Sequence, residues 1–172
     1  LTAKADIESR ITGFDQNADD YINKPFDANE LKARIFNILR QREKLQKLFT
    51  ENPFLQARDI KCTPLDAEFL EKAVTILEKH YADGDFAVID FCKELALNRN
   101  SVHNKIKAFT NQTTAEYIKN FRLEKAIRLL LGSNISITHI YMDVGFNSPQ
   151  AFNQAFKRRY NCTPTEYRKR NQ

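Results

Sequence analysis

One seven-residue pattern occurs twice in this chain, fifty residues apart. Asn111-Gln112-Thr113-Thr114-Ala115-Glu116-Tyr117 reads N-x-T-x-x-E-Y, and so does Asn161-Cys162-Thr163-Pro164-Thr165-Glu166-Tyr167. Upstream the copies match more loosely. Val102, Ile106 and Lys107 correspond to Phe152, Phe156 and Lys157, and Leu95, Leu97 and Asn98 to Val144, Phe146 and Asn147 with the offset shortened by one. Self-similarity at this period marks a duplicated supersecondary unit. With only four glycines and five prolines in 172 residues, an all-β fold would lack turn residues. The repeated unit is therefore expected to be helical.

Helix punctuation supports this. Apolar periodicity predicts helices over 65–80 (Phe69, Leu70, Ala73, Val74, Ile76, Leu77), 88–95 (Val88, Phe91, Cys92, Leu95) and 99–109. Thr113 with Glu116 forms a capping box that opens a long helix over 114–131, roughly 27 Å at 1.5 Å per residue. Ser136 caps the next helix. Gly145 is placed for a left-handed helix end, and Ser148-Pro149 is an N-cap followed by proline at the first helical position. Each repeat reads as a helix-turn-helix, the first over about 87–110 and the second over 136–160.

The second helix of each unit carries the functional signal. Val102, Ile106 and Phe109 face inward, as do Phe152 and Phe156. The outward positions are Asn100, Asn104 and Lys107, with His103 on the flank, and Gln150, Gln154 and Lys157, with Asn153 on the flank. Asn and Gln each present a donor and an acceptor that can pair bidentately with adenine, and Lys can hold a phosphate or a guanine edge. A plain solvated face is the bland alternative, but such faces are usually rich in Glu. Here both lack a carboxylate, which would repel phosphate. Charge agrees, since residues 1–64 carry a net +1, 65–110 a net −2 and 111–172 a net +6. On the linking helix, Arg122, Lys125 and Arg128 are candidates for solvent or the DNA backbone.

Residues 65–170 resemble the AraC/XylS-type DNA-binding domain. The matching segment runs from Ile137 and Ile140 through Val144-Gly145-Phe146-Asn147-Ser148-Pro149, Phe152, Phe156-Lys157 and Tyr160 to Pro164 and Tyr167-Arg168. The resemblance implies a mainly α fold of seven helices, with two helix-turn-helix units joined by one long helix and both reading helices in adjacent major grooves. It assigns base reading to Asn100, His103, Asn104, Gln150, Asn153 and Gln154. Arg99, Lys107, Ser148, Lys157 and Arg158 are the expected phosphate contacts. The DNA-binding domain is placed at 65–172, preceded by a linker over 50–64 that is broken by Pro53 and Pro64.

The first 49 residues follow another pattern. A short strand candidate, Tyr21-Ile22-Asn23, stands between two helix-like stretches, the second from Asn29 with Leu31, Ile35, Ile38, Leu39, Leu45 and Leu48 at helical spacing and Asp27 as its cap. One strand has no sheet partner, so this is an incomplete domain. Leu1-Thr2-Ala3-Lys4, Gly13 to Tyr21 and Lys24-Pro25-Phe26 resemble the C-terminal part of a two-component receiver, a partial α/β fragment. Thr2 and Tyr21 would be its switch residues and Lys24 its phosphoryl-pairing lysine. Asn17 stands where that family usually has glycine. The phosphoacceptor aspartate would lie upstream, and a chain opening on Leu1 without Met reads as part of a longer protein. A receiver followed by an AraC-type domain implies a response regulator or the end of a hybrid histidine kinase.

The expected function is sequence-specific transcriptional regulation as the output of a two-component system. Double-stranded DNA is the expected partner, with a homodimer in the full-length protein and RNA polymerase as a candidate partner. A phosphorelay or protein-docking module without DNA contact is the alternative. An enzyme is disfavoured, because His80, His103 and His139 are scattered and no nucleophile triad, metal-ligand spacing or glycine-rich phosphate loop is present. No catalytic residue, metal, cofactor or small-molecule ligand is assigned. Three well-separated cysteines (Cys62, Cys92, Cys162) do not make a disulfide framework and fit a reducing cytoplasm.

Overall fold

The computed structural model describes residues 27–51 and 64–171, all of whose regular elements are helices. Thr2, Tyr21, Lys24, the strand candidate and Cys62 lie outside the described residues. The chain divides into two compact units, Leu1–Lys44 and Leu45–Gln172. In the first, helix α1 begins (Ala28–Glu51), capped as expected by Asp27, whose Oδ1 accepts from Asn29 N at 2.6 Å. The helix includes residues 50 and 51, so the expected linker starts later than residue 50. Arg34 pairs with Glu30 one turn away, and Ile35, Phe36 and Leu39 are exposed.

The second unit holds seven helices among its described residues from 64 onward. They are α2 (Pro64–His80), α3 (Val88–Glu94), α4 (Arg99–Thr110), α5 (Thr114–Gly132), α6 (Ile137–Asp143), α7 (Pro149–Tyr160) and α8 (Pro164–Asn171). Pro64 opens α2 rather than ending the linker, since proline fits the first helical position, where the N–H has no partner anyway. The expected seven-helix arrangement with a long joining helix is present.

Two cores stand behind two lobes. The first gathers Phe69, Leu70, Ala73 and Leu77 from α2, Phe91, Cys92 and Leu95 around α3, and Val102, Ile106 and Phe109 from α4. The second gathers Ile140, Tyr141 and Val144 around α6 with Phe146, Phe152 and Phe156. Helix α5 belongs to both. Its first half sends Tyr117, Ile118 and Phe121 into the first core, and its second half sends Leu123, Ala126 and Leu130 into the other. Each wholly buried Leu or Phe contributes about 1.5–3 kcal/mol, so α5 is anchored at both ends. The Cys92 thiol is buried in the first core and its pKa is pushed up by that burial, which keeps it protonated and inert.

The repeated heptapeptide now reads letter by letter. Asn111 and Asn161 end α4 and α7 in the left-handed conformation, both at φ 56°, donating to the carbonyls of Lys107 and Lys157. Asn tolerates that conformation better than other residues with a Cβ. Thr113 and Thr163 cap the following helices by accepting from Glu116 N and Glu166 N, each at 3.2 Å. The glutamates reach back to Thr113 N at 3.0 Å and Thr163 N at 2.7 Å. These hydrogen bonds to the ionised form hold both carboxyls below their ordinary range. Tyr117 is buried, which pushes its phenol up to about 12, and Tyr167 packs edge-on against Phe156 at 5.6 Å.

One correspondence is corrected. The two turns share their first half, where Ala96 N and Leu97 N donate to Lys93 O and Cys92 O, and Gly145 N and Phe146 N donate to Met142 O and Tyr141 O. After that they diverge. Asn98 is the N-cap of α4, accepting from Ser101 N at 2.8 Å, while Ser148 is the N-cap of α7, accepting from Ala151 N at 3.2 Å. Asn98 therefore corresponds to Ser148, and Asn147 is an extra residue of the second turn.

Candidate nucleic-acid interface

The outer faces of α4 and α7 are built as their spacing demands. Val102, Ile106, Phe152 and Phe156 have no exposed surface. That pins both helices and leaves Arg99, Asn100, Asn104 and Lys107 exposed on α4, and Gln150, Asn153, Gln154, Lys157 and Arg158 exposed on α7. His103 is half-buried at the edge of its face. Ser148 is half-buried too, and its oxygen is engaged in the cap of α7, which leaves its hydroxyl proton free to donate. Neither helix contains an acidic residue.

The faces differ in charge. Near its end α7 carries Lys157, Arg158 and Arg159, whereas α4 has only Lys107 there. The remaining lysine of α4, Lys105, is turned inward. It lies 3.8 Å from Asp66 and over the Phe69 ring, so it ties α4 to α2.

Two residues offered to the DNA backbone are committed elsewhere. Arg122 donates from Nε to Tyr81 O at 3.1 Å and from Nη2 to Asp83 O at 2.6 Å and Phe86 O at 3.1 Å. Half-buried under the turn it grips, it has its pKa lowered by desolvation, opposed by Asp83. Lys125 is paired with both carboxylate oxygens of Glu78 and lies over the rings of Tyr81 and Phe121. Periodicity alone could not separate these cations from free ones, because their partners lie 36 to 47 residues away. Arg168 has a similar structural role, donating to Leu130 O at 3.1 Å and Ile135 O at 2.7 Å.

Between the lobes lies an open groove of about 810 Å³. Gln154 and Arg158 reach it from α7 and Lys119 and Asn120 from α5, with Asn147 on the turn between α6 and α7. Lys119 is exposed and had not been singled out in the sequence. A cation in the second turn of the helix that follows α4 was the available signal. Beneath α7, Tyr160 donates to the buried Glu124 of α5 at 2.8 Å, and burial together with this carboxylate raises the pKa of the phenol. This contact was also missed, because Glu124 lies in a helix whose other charged residues are exposed or half-exposed.

Residues 91–170 match the family model described as a helix-turn-helix domain. In fold, the chain is similar to a transcriptional regulator from Chromobacterium violaceum described by its AraC-type DNA-binding domain, with a TM-score of 0.56 and 24% identity over 60% of this chain and 92% of that one. It is also similar to the C-terminal domain of the two-component response regulator yesN from Fusobacterium nucleatum, with a TM-score of 0.52 and 29% identity over 56% of this chain and 93% of that one. Residues 91–170 are a helix-turn-helix domain with the fold of AraC-type DNA-binding domains. Two curated relatives extend the comparison. The transcriptional activator RhaR of Mannheimia succiniciproducens is 33% identical over 61% of this chain and 38% of that protein. A protein of Formosa agariphila named histidine kinase P4 is 37% identical over 99% of this chain, which corresponds to 12% of that protein. The chain thus spans less than two-fifths of the length of either relative. Among the described residues no helix is long and apolar enough to cross a membrane.

Proposed function

We propose that the AraC-type domain is a sequence-specific reader of double-stranded DNA that regulates transcription, with α4 and α7 entering adjacent major grooves. The observation that carries this reading is the pair of exposed, amide-rich outer faces on the second helices of two helix-turn-helix units, in helices with no acidic residue. Asn100, His103 and Asn104 contact bases in one groove, and Gln150, Asn153 and Gln154 in the other. Arg99, Lys107, Ser148, Lys157 and Arg158 hold phosphates. The name of the RhaR relative supports the regulatory role.

The finer reading places this domain at the output of a two-component protein. It rests on the receiver-like residues Thr2, Tyr21 and Lys24 and on the names of the yesN and histidine kinase P4 relatives. Phosphorylation of the complete receiver then favours a homodimer on DNA, in the cytoplasm and with RNA polymerase as a further partner. A full-length protein that binds its site equally well, and as the same oligomer, with and without a phosphoryl mimic would refute that step.

Selection of this chain against random duplex DNA, followed by affinity measured across salt concentrations, tests the DNA reading. The expected outcome is an enriched composite site and a steep inverse dependence of affinity on salt. A flat salt dependence with no enrichment would contradict it.

A further inference from the structure

We infer that Asn147 is a positioning residue that sets the spacing between the two reading helices by latching the second turn onto Gly84. It is the residue by which the turn between α6 and α7 exceeds the turn between α3 and α4. Its amide Nδ2 donates to Gly84 O at 3.3 Å, across 63 residues of chain and from one lobe to the other. The inference rests on the DNA reading proposed above.

The surroundings of the turn at 81–86 are built for this contact. A side chain at Gly84 would collide with the Asn147 amide oxygen, although the backbone of Gly84 is not left-handed. The absence of a side chain there leaves room for the Asn147 amide, which a methyl group would push aside. At Gly145, φ is +73°, and a Cβ would run into the carbonyl of Tyr81 and lie 3.1 Å from Ala82 C. From the other side, Arg122 holds Tyr81 O, Asp83 O and Phe86 O. The turn of the first lobe is thus clasped between the linking helix and the second helix-turn-helix. The residue after Asn147 is Ser148, the N-cap of α7. The latch therefore acts where the second reading helix starts. In the first turn Leu97 is followed at once by the cap Asn98, which leaves no residue for such a role.

A DNA site changes by about 34° and 3.4 Å for each base pair added between its halves. Lobes joined by α5 and by the packing of Gly145 on Tyr81 and Ala82 could adjust to such a change by a small shift at this turn, which the Asn147 latch resists.

The test uses the 172-residue chain and the duplex it selects from random DNA. Affinity is measured for that duplex and for versions with one base pair inserted or removed between the halves. The chain with its own Asn147 loses about tenfold or more on the altered spacings. Asn147→Ala weakens binding to the original site by about three- to tenfold, the scale of one hydrogen bond, and narrows the gap between original and altered spacings. Gly84→Ala, which displaces the amide without straining the backbone, does the same. The double variant is no worse than either single one. Hydrogen exchange at the Asp83 and Phe86 amides, followed without DNA, quickens in Asn147→Ala. Variants that fold normally yet keep the full spacing penalty would overturn the inference. If no duplex is enriched, the DNA reading fails and the spacing role with it, while the exchange rates still decide whether Asn147 secures the turn.

Discussion

The two helix-turn-helix turns are the same bend used in different surroundings. Ala96 and Gly145 occupy equivalent places, both with positive φ, at 56° and 73°. Ala96 is exposed and bears the strain of a left-handed alanine. Gly145 is buried against the Tyr81 and Ala82 backbone, where a methyl group has no room. The first turn needs its shape only to aim α4. The second must aim α7 and also dock on the first lobe. A duplicated unit can thus keep its backbone while the residues on it answer to different neighbours.

Substitutions at matched positions sharpen this contrast. The largest effect is expected for Gly145→Ala, which combines a left-handed backbone with a collision against main chain. Its urea midpoint should report a loss of about 2–4 kcal/mol. Tyr160→Phe should come next, at about 1–3 kcal/mol, because the buried Glu124 carboxylate loses its donor. Thr110 holds the equivalent place in the first lobe, where its hydroxyl donates to Ile106 O and accepts from Gln112 N, both local and neither to a buried charge, so Thr110→Val should weaken the fold less. Thr113→Ala removes a cap at the start of α5 and should lower the thermal midpoint by the equivalent of about 1 kcal/mol. Ala96→Gly should act in the opposite direction, with a gain of about 0.5 kcal/mol, as relief of strain outweighs the added freedom of the unfolded chain. A loss at Ala96→Gly as large as that at Gly145→Ala would break the comparison.

The capping glutamates set an acid limit common to both lobes. The folded pKa values of Glu116 and Glu166 lie below the ordinary carboxylate range, mainly because each accepts from its threonine's backbone N–H. Their contribution is present above the unfolded pKa of about 4.3 and disappears as pH falls through the lowered folded value. Glu116→Gln should flatten the acid end of a stability–pH curve. An unchanged curve would mean that the box is not formed in solution.

Much of this architecture was legible because helix punctuation is local. Ser136, Ser148-Pro149, Thr113 with Glu116 and Gly145 each declare a helix boundary within four residues, and the described helices begin and end there. The outer faces were legible for a related reason, since burying Val102, Ile106, Phe152 and Phe156 dictates what α4 and α7 turn outward. The commitments of Arg122, Lys125 and Glu124 could not be read, because each depends on a partner dozens of residues away. Asn147 was visible only as a one-residue slip in the repeat. Asn98 and Asn147 share a letter in the repeat, while Asn98 and Ser148 share the N-cap role. The receiver-like residues lie outside the described structure.

The comparison of the lobes carries over to their outer faces. Asn100, His103 and Asn104 offer one set of donors and acceptors, and Gln150, Asn153 and Gln154 another. The most direct measurement is selection from random duplex DNA with this chain and with its Gln150→Ala/Asn153→Ala variant. Two dissimilar half-sequences at one fixed spacing are predicted, with the variant relaxing preference in one half only. One half-sequence enriched twice, or a variant that blurs both halves equally, would contradict the account.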